Sequence, residues 1–178
     1  VPDADTGTNL ASTMYSIVNT VKADENIQTT ALALADAALM GARGNSGIIF
    51  AQFLYGFSKD IKDKATMNIN EFAEYMRNAS ECAYYALAKP KEGTIISVIK
   101  DWSNFLCENC DTTDDLTTLL LNALAVAMES LKGTGKFIAA KAKTFVDAGA
   151  KGFVVFLEGM CEYFHSGEKT IQVANAEI

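Results

Sequence analysis

The chain has 178 residues, of which 49% are apolar, so it is long enough for one domain with a full hydrophobic core. Its formal net charge of −7 argues against nucleic acid and anionic membrane surfaces as main partners, because both bind basic faces. No secretory signal and no apolar run of membrane-spanning length is visible, and we expect a cytoplasmic protein.

The chain opens with an acidic loop, VPDADTGTNL. Asp3 and Asp5 are followed by small polar residues, and a helical pattern of apolar residues begins at Leu10. Two carboxylates can share one or two magnesium ions, and a helix N-terminus attracts the phosphates that magnesium accompanies. The loop therefore predicts a metal–phosphate site. Ordinary capping of a helix explains the same residue types and stays an alternative.

The remaining periodicity predicts an all-α protein without strands. Proline is rare, alanine is frequent, and apolar residues recur at helical spacing throughout. Eight helices are expected, at about residues 8–22, 28–40, from the 41–47 loop to 57, 71–89, 95–106, 116–131, 137–146 and 151–164. Asn70 is the expected N-cap of the fourth helix, and Lys132–Gly135 is an expected turn.

The loop from Gly41 to Gly47 has two interpretations. In the structural one, Gly41 ends a helix in a left-handed conformation and Asn45 or Ser46 caps the next helix. In the functional one, Gly44 and Gly47 clear space while Asn45, Ser46 and free backbone N–H groups bind phosphates.

Small polar residues recur at alternate turns of the chain. They form the opening loop, the Gly41–Gly47 loop, Glu92–Thr94 and Asp147–Gly149. Short connections make neighbouring helices antiparallel, so alternate turns lie at the same end of a bundle. We therefore expect these four turns to meet in one site.

Three other motifs do not carry a function. Gly135-Lys136 fails as a P-loop, because Ser130 stands where the pattern needs glycine and no strand precedes it. Cys107 and Cys110 lack the further ligands of a zinc site, and we interpret them as reduced thiols. His165 is the only histidine and stands in the polar tail, which argues against hydrolytic triads.

Four segments together resemble one family, the DhaL/Dak-type nucleotide-binding domain. That domain is shared by the L subunit of dihydroxyacetone kinase and the ATP-binding component of bacterial fatty-acid kinase. The segments span nearly the whole chain in the family's order: VPDADTGTNL, GARGNSGII, KPKEGTIISV and FVDAGAKGFVVFLEGM. Their Asp-Thr-Gly-Thr-Asn, Arg-Gly-Asn-Ser-Gly and Glu-Gly-Thr versions are more similar to the fatty-acid kinase branch.

The resemblance implies an antiparallel eight-helix barrel with ATP at one end. Residues 1–178 would be a single DhaL-like domain, a fragment of a longer protein whose first helix lies upstream of Val1 and is missing here. One departure is Ala4, which replaces the usual glycine between the two aspartates.

The resemblance also implies roles for particular residues. Asp3 and Asp5 would hold two magnesium ions, while no residue acts as a catalytic acid or base. The nucleotide would be bound by Thr8, Asn9, Gly44, Asn45, Ser46, Gly47, Thr94, Asp147 and Gly149. Among these, Asp147 and Gly149 would close over the base or ribose.

The implied activity is transfer of the γ-phosphate of ATP to a fatty acid, which gives an acyl phosphate. The fatty acid would be presented by a separate DegV-type fatty-acid-binding protein, and a homodimer would form through regions outside this chain. Two alternatives remain open: the ATP-binding subunit of a dihydroxyacetone (glycerone) kinase, and a non-catalytic helical module that binds a nucleotide or a lipid.

Overall fold

The computed structural model describes residues 6–138 and 146–166, and all regular structure in these ranges is helical. The prediction of an all-α protein is therefore confirmed. Seven helices are present in these ranges: α1 (Thr6–Thr20), α2 (Ile27–Gly41), α3 (Gly44–Ser58), α4 (Ile69–Tyr85), α5 (Ile95–Asn109), α6 (Leu116–Ile138) and α7 (Ala148–Ser166). None of these helices combines the length and the hydropathy that a membrane span needs.

The helices form a closed ring. Each helix contacts the next one along the chain, and α7 contacts α1. Short connections make neighbours antiparallel, so α1, α3, α5 and α7 begin at one end of the ring while α2, α4 and α6 begin at the other. This alternation decides which residues meet at each end.

Aromatic side chains fill the interior of the ring. Phe53 of α3 packs edge-on against Phe153 of α7 at 5.3 Å between ring centroids, and Trp102 of α5 lies 6.0 Å from Phe153. All three side chains are almost fully buried. They join helices that are far apart in sequence, and their burial provides much of the hydrophobic stabilisation of the ring.

The start of α4 differs from the prediction. Asn68, not Asn70, is the N-cap: its side chain accepts from the backbone N–H of Glu71, whose carboxylate accepts from the Asn68 backbone N–H. This reciprocal capping box satisfies two N–H groups at once. Asn70 already lies within the helix and donates to Asp111 instead.

The predicted turn at Lys132–Gly135 is also wrong, because α6 continues through it to Ile138. Two glycines disfavour this helical turn, but Thr134 between them is buried and accepts a hydrogen bond from the backbone N–H of Asp147. Of the helix predicted at 137–146, the first two residues belong to α6. Residues 139–145 lie outside the described part of the chain.

Candidate functional site

A cavity of about 640 Å³ lies at the end of the ring where α1, α3, α5 and α7 begin. This volume is typical of sites for small molecules and cofactors. The lining comes from the first turns of those four helices and from the α4–α5 connection: Thr6, Asn9, Gly44, Asn45, Ser46, Ile49, Leu87, Lys89, Lys91, Thr94, Ile95, Asp147 and Gly149.

Four helix N-termini therefore face one cavity. The backbone dipoles place partial positive charge at each N-terminus, and none of the four helices has an acidic residue in its first turn. Dipole and free N–H groups together favour an anion such as a phosphate. The expected convergence of alternate turns is thus present in the fold.

Among α3, α5 and α7, only α3 lacks a side-chain hydrogen bond to its first turn within the described residues. Its N-cap, Arg43, makes no side-chain capping bond, and the first intrahelical hydrogen bond runs from the Gly47 N–H to the Arg43 carbonyl. The N–H groups of Asn45 and Ser46 consequently have no partner in the described structure. The Ser46 hydroxyl, on a residue only 7% exposed, also makes no hydrogen bond there.

Two predictions about this loop were wrong. Neither Asn45 nor Ser46 caps α3, because both already lie in its first turn. The left-handed glycine is Gly44, with φ of 59°, and Gly41 instead packs as the last residue of α2 against Ser16 of α1. A Cβ atom on Gly44 would collide with the Asn9 side-chain amide. Glycine at this position therefore lets α1 and α3 approach each other closely.

Asp147 caps two helices at once. Its Oδ1 accepts from the backbone N–H of Ala150 at 2.8 Å, in α7, and from that of Ile95 at 3.0 Å, in α5. Thr94, the N-cap of α5, makes no capping bond with its own side chain, since its hydroxyl donates to the Lys91 carbonyl. Asp147 therefore holds two cavity-forming N-termini in a fixed relation.

Gly149 lies in the first turn of α7, beside the first turns of α3 and α5. A Cβ atom there would lie 3.5 Å from the Cβ atoms of both Ser46 and Ile95. The first turns of α3, α5 and α7 thus pack directly around this residue, behind the cavity surface.

The structure brings together seven of the nine residues predicted to bind nucleotide, since only Thr8 and Gly47 do not line the cavity. Thr8 is exposed on the first turn of α1. Gly47 is buried between α3 and α1, where a Cβ atom would come within 2.8 Å of the Thr13 hydroxyl. Contact of any of these residues with a nucleotide stays a prediction.

The predicted magnesium ligands Asp3 and Asp5 lie outside the described residues. Within residues 6–138 and 146–166, no three side chains of the metal-binding types His, Cys, Asp and Glu converge. Among the lining residues that the structure describes, Asp147 supplies the only carboxylate, and its Oδ1 accepts from two backbone N–H groups. Magnesium binding by Asp3 and Asp5, which precede α1 in sequence, stays a prediction.

Sequence reasoning missed two basic residues of the cavity. Lys89 and Lys91 line it from the α4–α5 connection, beside the apolar Leu87. The available signal was their position in Lys-Pro-Lys-Glu-Gly-Thr, directly before a turn that was already assigned to the site.

Comparison with known proteins gives consistent matches. The DAK2 domain family matches residues 1–162, which include both the acidic loop and the cavity lining. An uncharacterized protein of Staphylococcus epidermidis is 37% identical over 172 residues, which cover 95% of this chain and 31% of that protein. An uncharacterized protein of Staphylococcus aureus strain USA300 is 38% identical over 172 residues, with the same coverage. This chain thus spans about a third of the length of the curated relatives it matches.

Proposed function

The chain belongs to the DAK2 domain family, a kinase-associated nucleotide-binding module of the DhaL type, and from that premise we propose that it binds ATP in the cavity between the four helix N-termini. It would transfer the γ-phosphate to a fatty acid, giving an acyl phosphate. The fatty acid would be presented by a separate DegV-type fatty-acid-binding protein.

The observation that carries this proposal is the uncapped N-terminus of α3. A helix N-terminus normally satisfies its first N–H groups with a side chain of its own. Here Asn45 and Ser46 offer two backbone N–H groups and a hydroxyl to the cavity without a protein partner in the described residues. Such a set of donors suits the oxygens of a polyphosphate.

Phosphoryl transfer needs positioning and charge neutralisation more than covalent participation by the protein. The first turn of α3 would hold the phosphate chain, while Asp147 keeps the starts of α5 and α7 in place around it. Asp3 and Asp5 are the residues that would hold magnesium, which when bound neutralises negative charge on the phosphates.

The cavity also bears on the choice of acceptor. Among the described residues that line it there is no histidine, and the carboxylate of Asp147 is engaged as a helix cap. A hydroxyl acceptor loses a proton during transfer, whereas a fatty acid is already a carboxylate at neutral pH. The described lining residues thus offer no histidine and no uncommitted carboxylate as a base, which supports the carboxylate acceptor over the dihydroxyacetone-type alternative.

The first test is calorimetric titration of ATP into the 178-residue chain, with magnesium and with EDTA. We expect magnesium-dependent binding that Asp5→Asn abolishes while helical content stays unchanged. Asp36→Asn is the matched control, since Asp36 is an exposed aspartate on α2 away from the cavity lining. Wild-type affinity in Asp5→Asn would contradict the metal assignment, and absence of ATP binding by the wild type would contradict the proposal.

The acceptor is tested with the longer protein and radiolabelled ATP. A DegV-type protein loaded with a fatty acid should yield a labelled acyl phosphate, and dihydroxyacetone should yield no labelled product. Label in dihydroxyacetone phosphate, with none in the acyl product, would favour the alternative kinase. ATP binding without transfer to either acceptor would indicate a non-catalytic module.

A further inference from the structure

Two lysines of the α4–α5 connection line the cavity, and neither forms an ion pair within the described part of the chain. Lys89 and Lys91 both line it, and both are exposed. The ion pairs found in residues 6–138 and 146–166 involve other lysines and one arginine, so neither of these two is paired there. On a chain of net charge −7, two unpaired cations at one cavity indicate an anionic ligand.

The nearest carboxylate in sequence is held elsewhere. Glu92 directly follows Lys91, but its Oε2 accepts a hydrogen bond from the Ser97 hydroxyl at 2.7 Å. Glu92 lines two other hollows on the surface and not this cavity. In this arrangement Glu92 forms no ion pair with Lys91.

The backbone of this connection is fixed as well. The Gly93 N–H donates to the Ser97 hydroxyl at 2.9 Å, and the Thr94 hydroxyl donates to the Lys91 carbonyl at 2.7 Å. Gly93 has a φ of 74°, a conformation that a residue with a side chain rarely adopts. These bonds anchor the backbone that carries Lys91 at the start of α5.

We propose that Lys89 and Lys91 bind the phosphate oxygens of the nucleotide directly, as a cationic contribution independent of magnesium. This inference rests on the proposed function, because it assigns residues to the same ATP site. The lysines complement the α3 N-terminus: backbone N–H groups provide directional hydrogen bonds, while the flexible ammonium groups neutralise charge. Their contribution grows with the number of phosphates on the ligand.

The test compares the affinities of ATP, ADP and adenosine for the wild type and for the double variant Lys89→Gln/Lys91→Gln. We expect ATP affinity to fall about tenfold, as for two exposed charge pairs, ADP affinity to fall less, and adenosine affinity to stay unchanged. The variant should also lose part of the salt dependence of ATP binding. Lys100→Gln is the control, because Lys100 is an exposed lysine on α5 outside this cavity.

Each outcome is informative. If the wild type binds ATP and the double variant binds it equally well, the lysine assignment is wrong while the proposed function stands. An equal loss for ATP, ADP and adenosine would place the lysines against the nucleoside or in folding, and would also overturn the assignment. If the wild type binds no ATP, the proposed function and this inference fall together.

Discussion

The helix N-termini at the two ends of the ring differ in their side-chain capping. At the end where α2, α4 and α6 begin, which we call the capped end, every one of the three helices receives a side-chain cap. Asn26 accepts from a first-turn N–H of α2, Asn68 from one of α4, and Asp115 from two of α6. These are the side chains that ordinary helix starts select.

The cavity end differs from this arrangement at α3 and α5. Arg43 gives α3 no cap, and Thr94 gives α5 none from its own side chain, so Asp147 serves α5 and α7 together. A missing cap forgoes roughly 1 kcal/mol of stability but leaves N–H donors free. The comparison indicates that the capped end stabilises its helix starts with side chains, whereas at the cavity end the start of α3 lacks that stabilisation and keeps its donors free for the proposed ligand.

Gly44→Ala should have the largest effect on the cavity end, in both stability and ATP affinity. Alanine at a φ of 59° is strained, and its Cβ atom would displace the Asn9 amide, so we expect a loss of about 2 kcal/mol in the free energy of unfolding. The first turn of α3 would shift, and ATP affinity should fall at least about tenfold, the equivalent of 1.4 kcal/mol. Urea unfolding and calorimetry measure the two effects.

Gly133→Ala is the matched control for this substitution. Gly133 lies within α6, has open space around its Cα atom, and belongs to no strained turn. Alanine there should raise the free energy of unfolding by up to about 1 kcal/mol, through its higher helix propensity. A Gly44→Ala variant as stable as Gly133→Ala would contradict the role given to the left-handed turn.

Much of the fold follows from the sequence, since apolar periodicity depends on local spacing. The periodicity predicted that α5 begins at Ile95 and α6 at Leu116, and both helices begin there in the structure. It failed at Gly133 and Gly135, where local propensity favours a turn. The burial of the intervening Thr134 and its hydrogen bond with Asp147 outweigh that propensity. Neither contact can be deduced from the residues adjacent to Thr134 in sequence.

The meeting of the alternate turns around one cavity was predictable from the sequence, whereas their hydrogen bonding was not. The alternation of antiparallel helices was enough to bring Asn9, Ser46 and Gly149 to one cavity. Which N–H groups stay free depends on contacts such as that between Asp147 and Ile95, 52 residues apart. Such pairings arise only in the folded ring, so the sequence could not show that Asp147 caps α5 as well as α7.

Adding a side-chain cap to α3 would make the cavity end resemble the capped end. Arg43 has the extended backbone of an N-cap, with φ of −134° and ψ of 140°. Arg43→Ser should let a side-chain hydroxyl accept from the first turn, raising the free energy of unfolding by about 0.5–1 kcal/mol. Because that hydroxyl competes with phosphate for the same N–H groups, ATP affinity should fall severalfold.

Arg43→Ala separates the new cap from the loss of the guanidinium group, which donates to the Ala42 carbonyl. The relevant quantity is the difference between the serine and alanine variants, in both stability and ATP affinity. Equal affinity in the two variants would mean that the free N–H groups of α3 do not bind the nucleotide.

The smallest expected effect concerns acid stability at the capped end. A hydrogen bond from the Lys64 ammonium, followed by one from the Asn68 backbone N–H, lowers the pKa of Glu71 below its usual value of 4.5. Because the pKa is lowered in the folded state, the stabilisation is complete at neutral pH. It is lost as the pH falls from about 4.5 through the folded pKa.

Glu71→Gln should therefore have a lower urea midpoint than the wild type at pH 7, and the difference should shrink below about pH 4 as Glu71 of the wild type takes up its proton. Asp115→Asn provides a second case, since the Thr118 hydroxyl and neighbouring N–H groups lower the pKa of Asp115.

Neither substitution lies near the cavity, so ATP affinity at pH 7 should stay at the wild-type value in both. A difference in midpoint that stays constant with pH would show that these carboxylates act through packing and not through charge. A loss of ATP affinity would instead couple the two ends, and would contradict their division into a stabilising end and a binding end.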